Sequence, residues 1–242
     1  MMLLPVSING IEVLWVTKDP EFIYGVFKQE IKNRFLCSVE IDGEIVTCYV
    51  PLSCRLSNFL DMTDRSVMLT PITNPKAKTR LALYAIKYGR SYVPINLANS
   101  NRIVGQQIYR RYFSFLGKRK NVTREMKIGD YKCDLFINDT NTIVEIKSLL
   151  AFEKQAVFPT VYSERAVKQL EQLSALLDQG YFVCFMMISL STTVKEISIN
   201  RKIEDFYRLF AKCVNKGMKF RGFSLRLNND GIEVSSVVKM NV

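Results

Sequence analysis

The run from Tyr181 to Ser189 is almost wholly apolar. It is far too short to cross a bilayer. Read as a strand it has no polar side, so both of its faces must be buried. Helical patterns flank it. Before it, Ser163 is a good N-cap, Ala166, Leu170, Leu173 and Leu177 recur along one face, and Gly180 ends the helix. After it, Ile203 to Lys216 predicts another helix, stopped by Gly217, and strands Lys219 to Leu227 and Ile232 to Val238 follow around Asn229-Asp230-Gly231. Further upstream, Ile103, Val104, Ile108 and Phe115 keep near-helical spacing from a cap at Asn99 or Ser100 to a stop at Gly117. Strands Val122 to Ile128, Lys132 to Ile137 and Thr142 to Leu149 come next, the last two joined by a turn at Asn138 to Asn141. This succession of helices and strands is α/β in character.

The N-terminal third reads differently. Phe35 to Ile41 alternates, Asp42-Gly43 makes a hairpin turn, and Ile45 to Val50 continues. Ser66 to Thr73 and Leu81 to Tyr88 are further short strands, closed by Asn74-Pro75 and Gly89. Short strands in so small a segment predict a β-barrel of the OB type. The expected organisation is an OB-like β domain over residues 1–88 and an α/β domain over residues 89–242. Charge divides along nearly the same line. Acidic and basic side chains balance through residue 85, so the whole excess of +11 falls beyond it. A clustered positive excess predicts a polyanionic partner, nucleic acid before all; added solubility is the alternative.

The chain contains no histidine. That excludes Ser-His-Asp and Cys-His nucleophilic catalysis and the histidine-ligated metal designs. Acid–base or metal chemistry must use carboxylates, lysine, tyrosine or cysteine. The six cysteines form no CxxC pair, which gives no sign of structural zinc. Hard oxygen ligands point to Mg²⁺ or Mn²⁺.

The segment Lys132 to Lys147 carries the chemistry. With a four-residue loop at 138–141, Ile137 faces Thr142 and Asp134 falls opposite Glu145. Opposed residues of an antiparallel pair have Cβ atoms about 4.5–5.5 Å apart. Lys147, two residues beyond Glu145, projects from the same face, with Phe136 and Ile143 nearer the turn. Leu135, Ile137, Val144 and Ile146 point the other way, into the core. Two close carboxylates repel unless something neutralises them. A divalent cation does so, and it can also polarise a phosphate and activate water. Lys147 can then orient the water or stabilise charge at phosphorus. An alternating strand with charges on its wet face gives the same string.

Around the hairpin, Glu125 is a candidate third carboxylate or a plain surface residue. Glu164 and Lys168 are spaced for an ordinary helix ion pair. With Arg165 they also sit at the start of a helix, where phosphate binding is favoured. Arg102, Arg110, Arg111, Lys118, Arg119, Lys120, Arg124 and Lys127 form a dense basic tract, interleaved with Tyr109, Tyr112, Phe113 and Phe115. The cations are read as phosphate-binding and the aromatics mainly as core.

The Asp134…Glu145-x-Lys147 arrangement resembles the PD-(D/E)XK nuclease superfamily. The wider chain, from Phe35 to Val238, resembles the sugar fermentation stimulation protein A (SfsA) family. The supporting stretches are Arg34-Phe35-Leu36 with Val39-Glu40, Asn74-Pro75-Lys76, Ile95-Asn96 with Asn101-Arg102-Ile103-Val104, and Arg124-Glu125. They continue with Asp134-Leu135-Phe136, Val144-Glu145-Ile146-Lys147-Ser148, and Phe158-Pro159 with Ser163-Glu164-Arg165. The resemblance implies an OB-like domain followed by a nuclease-type domain, nonspecific DNA binding and a divalent metal. It carries metal ligation onto Asp134 and Glu145 and a catalytic amine onto Lys147. Two departures stand out. Pro51-Leu52-Ser53-Cys54 replaces a Pro-Asn-Thr-Gly-type turn, and Gln169 stands where the family tends to have histidine.

The expected function is a nonspecific DNA-binding protein that hydrolyses phosphodiester bonds with Mg²⁺ or Mn²⁺. The alternative is a DNA-binding transcriptional regulator of sugar (maltose-type) metabolism with a slow or inactive site. No signal peptide or membrane span is read from the sequence, so a cytoplasmic location is expected. A homodimer is left open.

Overall fold

The structure is a computed structural model. It describes residues 7–8, 11–12, 22–31, 35–52 and 55–242, so Arg34, Ser53 and Cys54 of the stretches above lie outside the described residues. Strands β1 (Ile23–Glu30), β2 (Leu36–Ile41), β3 (Glu44–Tyr49), β4 (Ser66–Pro71) and β5 (Leu81–Tyr88) form a closed five-stranded OB-like barrel. Antiparallel pairings run β1–β2, β2–β3, β1–β4 and β4–β5. One parallel contact, Tyr49 with Ala82, closes the ring. A sixth strand, β6 (Ser91–Pro94), extends this sheet as a hairpin on β5. The β2–β3 turn is the one expected: Asp42 and Gly43 both have positive φ, 51° and 86°, the conformation a two-residue hairpin needs. Strands β1 and β6 were not expected from the sequence.

Where β1 crosses β2 the backbones nearly touch. A Cβ on Gly25 would lie 2.6 Å from Val39 Cγ1 and 2.7 Å from the Glu40 carbonyl oxygen. Gly25→Ala is therefore expected to destabilise the protein by about 1–3 kcal/mol, seen as a lower urea midpoint with an unchanged slope. An unaltered midpoint would mean the barrel has slack there.

The second unit begins with α1 (Ser100–Gln107). The expected helix to Gly117 is instead two pieces. Arg110 adopts an extended conformation, φ −66° and ψ 157°, and a 3-10 helix follows at Arg111–Leu116. The break lets Ile108 and Phe113 both reach full burial. The sheet then collects β7 (Val122–Arg124), β8 (Leu135–Ile137), β9 (Thr142–Leu149), β10 (Gln155–Phe158), β11 (Phe182–Ser189), β12 (Glu196–Ile199), β13 (Lys219–Asn228) and β14 (Gly231–Asn241). Two helices, α2 (Glu164–Asp178) and α3 (Glu204–Asn215), lie between strands. Across the sheet the order is β10-β12-β14-β13-β11-β9-β8-β7. Its centre is parallel, β9 with β11 and β11 with β13, and β8 hangs on β9 as an antiparallel hairpin.

The central strand β11 is buried on both faces, as its composition requires. On one face Cys184, Met186 and Ile188 join Val144, Ile146, Leu135 and the α1 residues Ile103 and Val104 in a core continuous with that of the barrel. On the other face Phe185 and Met187 pack with Ile143, with Leu170 and Leu173 of α2, and with Phe206 and Phe210 of α3. Phe185 and Phe210 meet edge to face at 5.2 Å between centroids, a favoured aromatic geometry. Among the described residues no helix is long and apolar enough to cross a membrane.

Candidate functional site

The hairpin register matches a four-residue loop. Ile137 pairs with Thr142, Phe136 with Ile143 and Leu135 with Val144. Asn141 takes the left-handed conformation, φ 52°, that reverses the chain. One further step would set Asp134 against Glu145, but the β8 ladder ends at Leu135. There Asp134 Oδ2 accepts the Ile146 N–H at 2.7 Å, so the carboxylate supplies the rung that the strand no longer makes. Asn101, at the start of α1, donates to Asp134 Oδ1 at 2.5 Å.

Glu145 faces the α2 side of the sheet and is 2% exposed. A buried carboxylate must be paired and hydrogen-bonded to be tolerated, and this one is. Lys147 Nζ lies 2.6 Å from Glu145 Oε1. The Tyr131 hydroxyl donates to Glu145 Oε2. Lys147 also donates to Gln169 Oε1 of α2 at 2.6 Å. Gln169, which stands where the family tends to have histidine, thus holds the amine from the helix side. The Ser163 hydroxyl accepts the Ala166 N–H at 3.3 Å and fixes where α2 begins, and so where Gln169 falls.

Burial, and next the charge of Glu145, push the Asp134 carboxyl up to about 6 against the pull of Ile146 N–H, Lys147 and Asn101. Burial and the neighbouring Glu145 likewise push the Tyr131 phenol far up, so it serves only as a donor. Tyr131→Phe would leave Glu145 Oε2 without a partner. The expected cost is about 1–3 kcal/mol in urea denaturation; a loss within error would show that water replaces the phenol.

Tyr131 and Asn101 were not named among the expected site residues, and Gln169 entered only as a departure from the family's histidine. No local pattern marks them. Tyr131 sits on a two-residue ribbon, Lys127–Ile128 with Tyr131–Lys132, that folds back over the sheet. Asn101 is 33 positions from its partner Asp134.

Other expected residues lie elsewhere. Glu125 has φ 53°, which breaks the expected strand Val122 to Ile128 and turns its side chain outward. There its carboxylate pairs with Lys132 at 2.5 Å, while its backbone N–H donates to the Asp134 carbonyl at 3.0 Å. Glu164 and Lys168 are both exposed and form no ion pair with each other. The break after α1 interrupts the basic tract, and several of its members are engaged within the protein. Arg110 turns to Glu233 at 3.1 Å, Lys118 to Asp139 at 3.2 Å, and Arg119 to the carbonyls of Ile108 and Gly117. Arg102 reaches Gln106 at 3.5 Å. Arg111, Lys120, Arg124 and Lys127 stay exposed without ion pairs among the described residues. Phe113 and Phe115 pack against Phe223, but Tyr109 and Tyr112 are exposed, contrary to a core role.

In front of Lys147 opens a cleft of about 700 Å³, bordered by Asn101, Ile146, Ser148, Pro159, Arg165 and Gln169. As metal donors the acids offer hard oxygens. Each of the four carboxylate oxygens accepts one hydrogen bond and keeps a lone pair. Among the described residues no three acidic, cysteine or histidine side chains gather into a complete cage. Two carboxylates with water or phosphate filling the remaining positions suit Mg²⁺ or Mn²⁺, and such a cation would offset both the burial that chiefly raises Asp134 and the Glu145 charge that adds to it.

Comparison with known proteins adds the following. The family model described as "Sugar fermentation stimulation protein RE domain" matches residues 98–231, and the one described as "SfsA N-terminal OB domain" matches residues 31–95. The sugar fermentation stimulation protein homolog of Bdellovibrio bacteriovorus is 27% identical over 231 residues, which cover 88% of this chain and 94% of that protein. The homolog of Shewanella pealeana is 27% identical over 215 residues, 85% of this chain and 91% of that protein. The solved structure of Pyrococcus furiosus SfsA in complex with Ca²⁺ superimposes with a TM-score of 0.73 over 100% of both chains at 20% identity. At that identity the likeness is one of fold.

Proposed function

The chain belongs to the sugar fermentation stimulation protein (SfsA) family, and from that premise we propose that it binds DNA without sequence preference and hydrolyses phosphodiester bonds at a divalent-metal site on Asp134 and Glu145. The observation that carries this reading is a buried Glu145 ion-paired with Lys147, with Asp134 on the adjoining strand end, both acids bonded to residues (Lys147, Asn101 and Ile146) that line an open cleft. A buried ion pair stabilises a fold weakly at best, so its placement at a cleft argues for chemistry. The Ca²⁺ bound by the archaeal relative supports a divalent site in the same fold.

Asp134 and Glu145 would hold Mg²⁺ or Mn²⁺. The bound ion would supply charge for the phosphate and lower the pKa of water. Lys147 places an ammonium where negative charge develops on the phosphate oxygens, and Gln169 fixes that ammonium's direction. Arg165 on the cleft wall, and Arg111, Lys120, Arg124, Lys127 and Lys168, exposed and without ion pairs among the described residues, offer contacts to the DNA backbone, so binding should weaken steeply with salt.

A second reading is a DNA-binding regulator of sugar metabolism with a slow or inactive site. One observation favours it: every oxygen of the two acids already accepts a hydrogen bond from the protein. Incubation of purified protein with plasmid and linear DNA separates the two. The nuclease reading expects cleavage with Mg²⁺ or Mn²⁺ that stops with chelator. Salt-sensitive binding without cleavage in either metal would favour the regulator.

A further inference from the structure

The acids lie behind residues that line the cleft, bonded to Lys147, Asn101 and Ile146. Glu145 is 2% exposed, and 23% of the Lys147 side chain reaches solvent. A cleft of about 700 Å³ has the size of pockets that enclose a small molecule. One DNA strand can lower a phosphate into it; a double helix, with its phosphates on a stiff convex surface, meets the rim.

The rim itself is unusual. The segment between β10 and α2 is pinned at its base. Asn200 donates through Nδ2 to the Pro159 carbonyl at 2.9 Å and through its N–H to the Phe158 carbonyl at 2.8 Å. Its tip is unpacked: Val161, which lines the cleft, is 71% exposed and Tyr162 is 59% exposed. Three residues on, Arg165 lines the same cleft, is exposed and forms no ion pair among the described residues. An apolar pair held out on an anchored loop, next to an unpaired guanidinium, matches the two surfaces of an unpaired nucleotide, the base face and the phosphate.

Resting on the nuclease reading, we propose that this cleft selects unpaired DNA, with a base packed on Val161 and Tyr162 and the neighbouring backbone phosphate held by Arg165. Duplex DNA then enters only where its strands have parted. The selection lies in the loop and not in the acids, so it can be removed without touching the proposed chemistry.

The test compares the wild-type chain with the double variant V161S/Y162S on a labelled single-stranded oligonucleotide and on the same sequence as a blunt duplex. Both substitutions are on an exposed tip, and circular dichroism confirms the fold. With Mn²⁺ the wild type is expected to cleave the single strand at least about tenfold faster than the duplex, and the double variant to lose about tenfold on the single strand alone, the scale of one base–aromatic stack. Equal wild-type rates on both substrates, or equal losses on both in the variant, overturn the proposal and leave the nuclease reading intact. If no DNA is cleaved at all the nuclease reading fails, and anisotropy binding decides the strand preference. About tenfold weaker single-strand binding in the variant, with duplex binding unchanged, supports it; unchanged single-strand binding overturns it.

Discussion

Lys147→Ala is expected to lower metal-dependent DNA cleavage by about 10²–10³-fold or more, the cost of removing one preorganised donor from a developing phosphate charge. The same change removes the ammonium 2.6 Å from buried Glu145. In metal-free protein this leaves a buried carboxylate short of its counter-charge, an arrangement that costs up to about 3–5 kcal/mol when fully buried. The partial exposure of Lys147 makes the loss smaller. A divalent cation held by the acids supplies the missing charge, so Mg²⁺ should restore much of the lost thermal stability while cleavage stays lost. Cleavage by Lys147→Ala within about threefold of wild type would remove the amine from the chemistry.

Asp134→Asn is expected to move activity and stability in opposite directions. The Asp134 carboxyl is raised from an ordinary 3.8 to about 6 in the fold. A raised carboxyl is favoured in its protonated form, so its stabilising contribution is complete below 3.8 and fades as pH climbs through 6. At pH 7.5 the charged group opposes folding by something on the order of 1–3 kcal/mol. Asparagine keeps an acceptor for the Ile146 N–H without the charge, and its amide N–H meets the oxygen of Asn101 once that side chain turns over. Metal-free Asp134→Asn should therefore melt above wild type at pH 7.5, and the gap should close by pH 4. Added Mg²⁺ should raise the melting temperature of wild type but not of the variant, and cleavage should fall by orders of magnitude. A variant less stable than wild type at pH 7.5, with metal shifting both alike, would mean that Asp134 is a structural acceptor only.

Local pattern carried the hairpin and the helices a long way. The alternation around Leu135 to Ile137 and Thr142 to Ile146, with a loop count of four, is enough to set the register, because a slip of one residue would turn Ile137 and Val144 out of the core. Ser163 and Gly180 bracket α2 because a side-chain cap and a left-handed glycine, φ 88°, are local devices. The short strands Gln155–Phe158, at the sheet edge, and Glu196–Ile199 beside it were not anticipated; their four residues alternate too briefly to stand out. Nor was the break at Arg110, where burying Ile108 and Phe113 together overrides a continuous helical stripe. The surroundings of the acids were the least legible. Asp134 leaves the ladder to cap it with a side chain, and Tyr131, Asn101 and Gln169 converge on the acids and Lys147 from three separate elements. Such contacts depend on tertiary packing, which neither spacing nor periodicity encodes.

The account stands on Asp134 and Glu145 sharing one divalent cation. Calorimetric titration of Mn²⁺ into wild type and Glu145→Gln, a change that keeps size and one of the two acceptor oxygens, measures this without reference to catalysis. The prediction is one ion per chain in wild type and binding at least about 10–100-fold weaker in the variant. Equal affinity and stoichiometry in the two proteins would contradict it.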